Sequence, residues 1–129
     1  MTLVEFEEKY YLHDSGIEKI NFDEKTNTLT MTIEFCFWMQ TWFNEGELKN
    51  GLIEVCFENV ASFEYEQHDF KNILENLDTE VIQTEIDEYG TLNIIVREYT
   101  SFQPLDMDFW RIKIKADNVE VTELERYNS

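Results

Sequence analysis

Thr28-Leu29-Thr30-Met31-Thr32-Ile33-Glu34-Phe35-Cys36-Phe37-Trp38 decides the fold class. Leu29, Met31, Ile33, Phe35 and Phe37 fill one set of alternate positions; Thr30, Thr32, Glu34, Cys36 and Trp38 fill the other. Successive side chains of a strand point to opposite faces, so this pattern reads as a strand with one face in a core and one in water. The pattern recurs along the chain. Ile53, Val55 and Phe57 alternate with Leu52, Glu54, Cys56 and Glu58. Leu92, Ile94 and Val96 alternate with Asn93, Ile95 and Arg97, and Trp110, Ile112 and Ile114 with Arg111, Lys113 and Lys115. Weaker strand patterns cover 3–12, 17–22, 62–66, 79–87 and 119–124.

Three turn signals separate these segments. Asp23-Glu24-Lys25-Thr26-Asn27 and Glu88-Tyr89-Gly90 suit hairpins, the latter with Gly in the left-handed position. Asp117-Asn118 predicts a two-residue turn folding 109–116 onto 119–124, with Lys115 opposite Glu120. One helix is expected over 69–77, where Phe70, Ile73, Leu74 and Leu77 follow helical spacing and Asp69 is placed to cap the first turn. The expected architecture is mainly β (α+β): an antiparallel sheet, sandwich-like or strongly curved, with one short helix packed on it. A chain of 129 residues without a linker-like segment is read as a single domain over 1–129.

Charge narrows the function classes. Ten basic residues face 28 acidic ones, a net charge of −18 and a pI near 4.2. A general nucleic-acid binder needs a basic footprint, so that class is excluded, and docking to an anionic membrane surface is disfavoured. The N-terminus lacks a basic, apolar leader, and the longest apolar run, Phe35 to Met39, is too short to cross a bilayer. Cys36 and Cys56 lack CxxC spacing and read as reduced thiols, so the expected location is cytoplasmic.

Residues 31–105 hold fifteen acidic residues against Lys49, Lys71 and Arg97. The stretch includes Glu54, Glu58, Glu64, Glu66, Glu75, Asp78, Glu80, Glu85, Asp87 and Glu88. A solvated acidic surface explains part of this density. The sharper expectation is an acidic face covered by a basic protein partner, nucleic-acid-handling proteins being the natural candidates. Trp38 and Trp42, beside Asn44-Glu45-Gly46-Glu47, are expected either to join that contact surface or to close one end of the core.

Cys36 and Cys56 would face each other in a hairpin centred on Gly46, although that register also sets Glu34 against Glu58. Two His-Asp pairs, His13-Asp14 and His68-Asp69, could supply four ligands to one ion, making a metal-binding domain or metal-dependent enzyme the alternative reading. The local reading is turn and cap: Asp14 opens Asp14-Ser15-Gly16, and Asp69 caps the expected helix. Trp38, Trp42 and Trp110 could line a small-ligand site. Nothing matches a strained nucleophile with an adjacent base, so no catalytic residue, metal ligand or cofactor is assigned.

Leu12-His13-Asp14-Ser15-Gly16-Ile17-Glu18-Lys19-Ile20, followed by a hairpin into Leu29-Thr30-Met31-Thr32-Ile33, resembles the opening of small, poorly characterised bacterial domains. Those begin Leu-His-Asp-Ser/Ala-x-Ile-x-x-Ile, and some are grouped with immunity proteins of bacterial toxin systems. The resemblance covers about the first quarter of the chain. It implies a bacterial β-rich domain that neutralises a partner by binding, and it carries no catalytic residue with it.

Overall fold

The computed structural model describes residues 1–66, 74–99 and 108–128. Helix α1 (Leu3–Lys9) precedes six strands: β1 (Gly16–Asp23), β2 (Thr28–Cys36), β3 (Asn50–Tyr65), β4 (Thr79–Ile86), β5 (Leu92–Glu98) and β6 (Asp108–Tyr127). They form one antiparallel sheet in the order β1-β2-β3-β6-β5-β4. The mainly β, antiparallel architecture is as expected; among the described residues it is a single sheet with one short α-helix, which lies at the N-terminus. The alternation read from residues 28–38 holds: Leu29, Met31, Ile33, Phe35 and Phe37 are all buried. Ile53, Val55, Phe57, Leu92, Ile94, Val96, Ile112 and Ile114 complete the inner face. Each such side chain contributes about 1.5–3 kcal/mol by leaving water, offsetting the entropy of ordering the strands.

The sheet curls until its two edge strands, β1 and β4, approach each other. No strand ladder joins them. Thr79 Oγ1 instead accepts from Ile17 N and donates to Ile17 O, both at 2.9 Å, while Asp14 N donates to Val81 O at 3.0 Å and Val81 N to Ser15 O at 2.7 Å. Helix α1 closes one end of the curled sheet, with Phe6 edge-on to Phe57 at 5.8 Å and Tyr10 edge-on to Trp42 at 5.8 Å.

Three expectations are corrected, and a fourth falls largely outside the described residues. Residues 3–9 are helical, not extended. Thr2 Oγ1 accepts from Glu5 N at 3.1 Å and Thr2 N donates to Glu5 Oε1 at 3.0 Å, a capping box that satisfies both ends of the first turn. Leu3 and Phe6 are buried on one face of that helix.

The helix expected over 69–77 lies largely outside the described residues. Its described end is not helical: Leu74 forms a bridge to Ile20, and Asn76 has a φ of 54°. Leu74 and Leu77 pack on the core from an extended segment.

No turn forms at Asp117-Asn118. Strand β6 continues through both residues, because β3 pairs with it from Asn50 to Tyr65. Lys115 consequently lies opposite Ser62, and Glu120 opposite Cys56. The positive φ falls on the facing strand, at Asn59 (51°).

The β2–β3 register also differs from the one that would join the cysteines. Cys36 lies opposite Asn50, and Cys56 opposite Thr30. Six residues of strand separate the two positions, about 20 Å at the usual rise, so both thiols are free.

Two of the three turn signals are realised. Asp23 Oδ1 accepts from Lys25 N at 2.9 Å and Asn27 takes a φ of 51°. Asp87 Oδ1 accepts from Tyr89 N and Thr91 N, and Gly90 has a φ of 76°.

Candidate acidic interface

The outer face of β1, β2, β3 and β6 carries the polar half of the alternation. Glu34 on β2, Glu54 and Glu58 on β3 and Glu120 on β6 occupy successive diagonals, since Thr32 lies opposite Glu54 and Cys56 opposite Glu120. Diagonal neighbours in an antiparallel sheet stand about 7–8 Å apart. The four carboxylates therefore form a zigzag over β2, β3 and β6 that advances roughly 20 Å along the strands.

Two β-bulges add to this face. At the irregularity between Ile17 and Lys19, the extra residue is Glu18; at that between Leu52 and Ile53, it is Leu124, followed by Glu125 opposite Leu52. A bulge sets two residues against one and so re-aims a side chain. Leu124 is half exposed and Leu52 partly so, leaving an apolar spot among the carboxylates.

The electrostatics record the crowding. Burial first, and the Glu34 carboxylate second, hold the Glu18 carboxyl above its ordinary value. Tyr127 donates to Glu34 Oε1 at 3.0 Å, and its phenol is pushed up to about 12 by burial and then by Glu34. Burial raises the Cys56 thiol, with the charges of Glu58, Glu120 and Glu54 adding to it. Cys36 is raised likewise by burial and then by Asp14. Both thiols are therefore poor nucleophiles. Lys19 on this face is already 3.6 Å from Glu75, and at the other end Asn118 Nδ2 donates to Glu58 Oε1 at 3.1 Å while the Met1 ammonium donates to Asn118 Oδ1 at 2.9 Å. Glu18, Lys19 and Thr32 form one wall, and Glu75, Asn76 and Leu77 the other, of an open groove of about 420 Å³.

The acidic residues picked from the sequence are divided by the fold. Glu54 and Glu58 belong to the zigzag just described. Glu64, farther along β3, lies opposite Lys113, and Glu66 N donates to Arg111 O at 3.1 Å. Glu75 faces Lys19, and Asp78 O accepts from Tyr99 N. Glu80 accepts from Tyr99 Oη at 2.6 Å and sits 3.6 Å from Arg97; the tyrosine hydroxyl is the main reason its carboxyl is held low. Glu85 lies opposite Asn93, while Asp87 and Glu88 belong to the turn between β4 and β5. Trp38 is half exposed beside Lys49, whose carbonyl accepts from its backbone N. Trp42 packs on the core, edge-on to Phe37, and its indole N donates to Lys9 O at 2.9 Å.

Glu18, Glu34, Glu120 and Glu125 escaped the sequence reading, which followed density along the chain. The outward positions of the alternating pattern held the signal for Glu34 and Glu120, but only the strand order places them beside Glu54 and Glu58.

His13 has both ring nitrogens engaged: Nδ1 is 2.8 Å from Ile82 O and Nε2 is 3.4 Å from Asp14 Oδ1. His68 and Asp69 lie outside the described residues, and among the described residues no three His, Cys, Asp or Glu side chains are arranged to hold a metal ion. The three tryptophans do not share a site: Trp110 lines a separate groove with Glu66, Ile95, Phe109 and Arg111. No helix is long and apolar enough to cross a membrane among the described residues. Comparison with protein families, curated proteins and solved structures finds no match to this chain.

Proposed function

We propose that the chain is a non-enzymatic, cytoplasmic protein-binding domain that takes a basic protein partner on the outer face of β1, β2, β3 and β6. The carrying observation is the zigzag of Glu34, Glu54, Glu120 and Glu58 over β2, β3 and β6. Like charges at these spacings repel, and a cationic surface laid across them relieves that repulsion while excluding water around Leu52 and Leu124. Such a face accelerates encounter and selects positive partners, with strong salt dependence. A nucleic-acid-handling protein presents a suitable basic cleft. The resemblance at Leu12 to Ile20 extends the proposal to an immunity protein that neutralises such a partner.

The test compares two fourfold variants in affinity capture from bacterial lysate across a salt series. Glu34, Glu54, Glu58 and Glu120 are changed to Gln in one; Glu64, Glu66, Glu85 and Glu88 in the other. The expected result is one basic protein retained at low salt by the parent and the second variant and lost by the first. Equal retention by both variants, or retention indifferent to salt, would overturn the proposal.

A further inference from the structure

The sheet is held in two different ways. Strands β3 and β6 pair from Asn50↔Tyr127 to Tyr65↔Ile112, interrupted only by two bulges. The joint between β1 and β4 has no such ladder. It is made of the Asp14–Val81 and Ser15–Val81 bonds, the His13 ring on Ile82 O at 2.8 Å, the Thr79 hydroxyl on Ile17, one bond from Leu77 N to Glu18 O at 3.0 Å, and the Ile20–Leu74 pair at 2.9 Å. Bonds of mixed type at irregular spacing lack the repeated cross-strand contacts that make a ladder cooperative.

The same joint concentrates unfavourable local features. Asp14 and Asn76 stand in the left-handed region at φ 65° and 54°. Ser15 is fully buried, and its Oγ reaches no hydrogen-bond partner better than the weakly polar Cys36 thiol, whose ionisation it eases. Opening the joint would relax both backbones and hydrate the hydroxyl. The opposing term is exposure of Ile17, Ile20 and Val81, which are buried in the closed state.

We propose that the β1–β4 joint is a clasp: the curled sheet opens there as a unit, without unfolding β3 and β6. The groove lies across it, with Glu18, Lys19 and Thr32 on one side and Glu75, Asn76 and Leu77 on the other. Opening takes the groove apart. Regions that open sub-globally exchange their amide protons as contiguous groups below the global unfolding free energy.

Native-state hydrogen exchange on the full chain, followed by NMR through sub-denaturing urea, tests this. The amides of Asp14, Ile17, Ile20, Leu74, Leu77 and Val81 are expected to exchange together, at least about tenfold faster than those of Val55, Phe57, Ile112 and Ile114, and with a shallower urea dependence. Equal rates and equal slopes in the two groups would overturn the clasp. Gly16→Ala supplies a second reading, because its Cβ would meet Thr79 O at 3.0 Å and wedge the joint. It should accelerate exchange at the joint alone; equal acceleration in β3 and β6 would count against the proposal. The wild-type measurement decides the matter if that variant does not fold.

Discussion

Thr79→Val removes one hydroxyl from the joint and changes almost nothing else. Valine has the shape of threonine, so packing around position 79 is kept. The hydroxyl it deletes is the partner of both Ile17 N and Ile17 O in a buried setting. Leaving a buried polar group without a partner costs about 1–3 kcal/mol. Two such groups put the expected loss at roughly 2–6 kcal/mol against a total stability of about 5–15 kcal/mol. Thr79→Ser is the control: it keeps the hydroxyl and loses one methyl, about 1 kcal/mol. At about 4 °C per kcal/mol for a chain of this size, the valine variant should melt roughly 8–24 °C below the parent, and the serine variant only a few degrees below. Urea unfolding at pH 7, fitted for both midpoint and slope, separates a true stability change from a change in compactness. A valine variant as stable as the serine variant would refute the reasoning, since the bonds to Ile17 would then contribute nothing to holding β4 beside β1.

Gly51→Ala would place a Cβ 2.0 Å from Glu125 O and 2.9 Å from the Phe37 ring, so β6 must shift; a loss of about 3 kcal/mol or more is expected by chemical denaturation. Glu18→Gln should raise stability at neutral pH. The Glu18 carboxyl is held above its ordinary 4.5, so the folded state binds this proton more tightly than the unfolded chain and the parent loses stability as pH rises through that window. The advantage of the variant should vanish below about pH 4, where the parent carboxyl is protonated in both states, as thermal melts across pH would show. Sodium chloride should raise the parent melting temperature, because the net charge of −18 repels itself and salt shortens the screening length to about 10 Å at 0.1 M. The rise should be smaller in the variant lacking Glu34, Glu54, Glu58 and Glu120; an equal rise would mean that those four do not crowd one another.

Period-two patterning made most of the strands legible, and the inner face of β2 is a case where each alternate residue is buried as its pattern requires. That succeeds because alternation is a local consequence of backbone geometry. The N-terminal helix was legible too, through Thr2 and Glu5 at capping-box spacing, but Leu3, Val4 and Phe6 pulled the reading toward a strand. Asp117-Asn118 shows the opposite failure. Its residues tolerate a turn, yet a long partner strand supplies every position with a neighbour and the chain stays extended.

The amino-acid order alone therefore determined which residues face inward, where the chain turns at Asp23–Asn27 and Glu88–Gly90, and that the surface is acidic. The tertiary structure decided which carboxylates stand together, that Cys36 and Cys56 stay apart, and that scattered bonds, those of Thr79 among them, rather than a ladder bring β1 and β4 together. The division has one physical reason. Side-chain direction and turn chemistry depend on neighbours within a few residues, whereas register and strand order depend on pairings between positions 14 (Cys36 with Asn50) to 77 (Asn50 with Tyr127) residues apart, where a slip of one position sends each side chain to the other face.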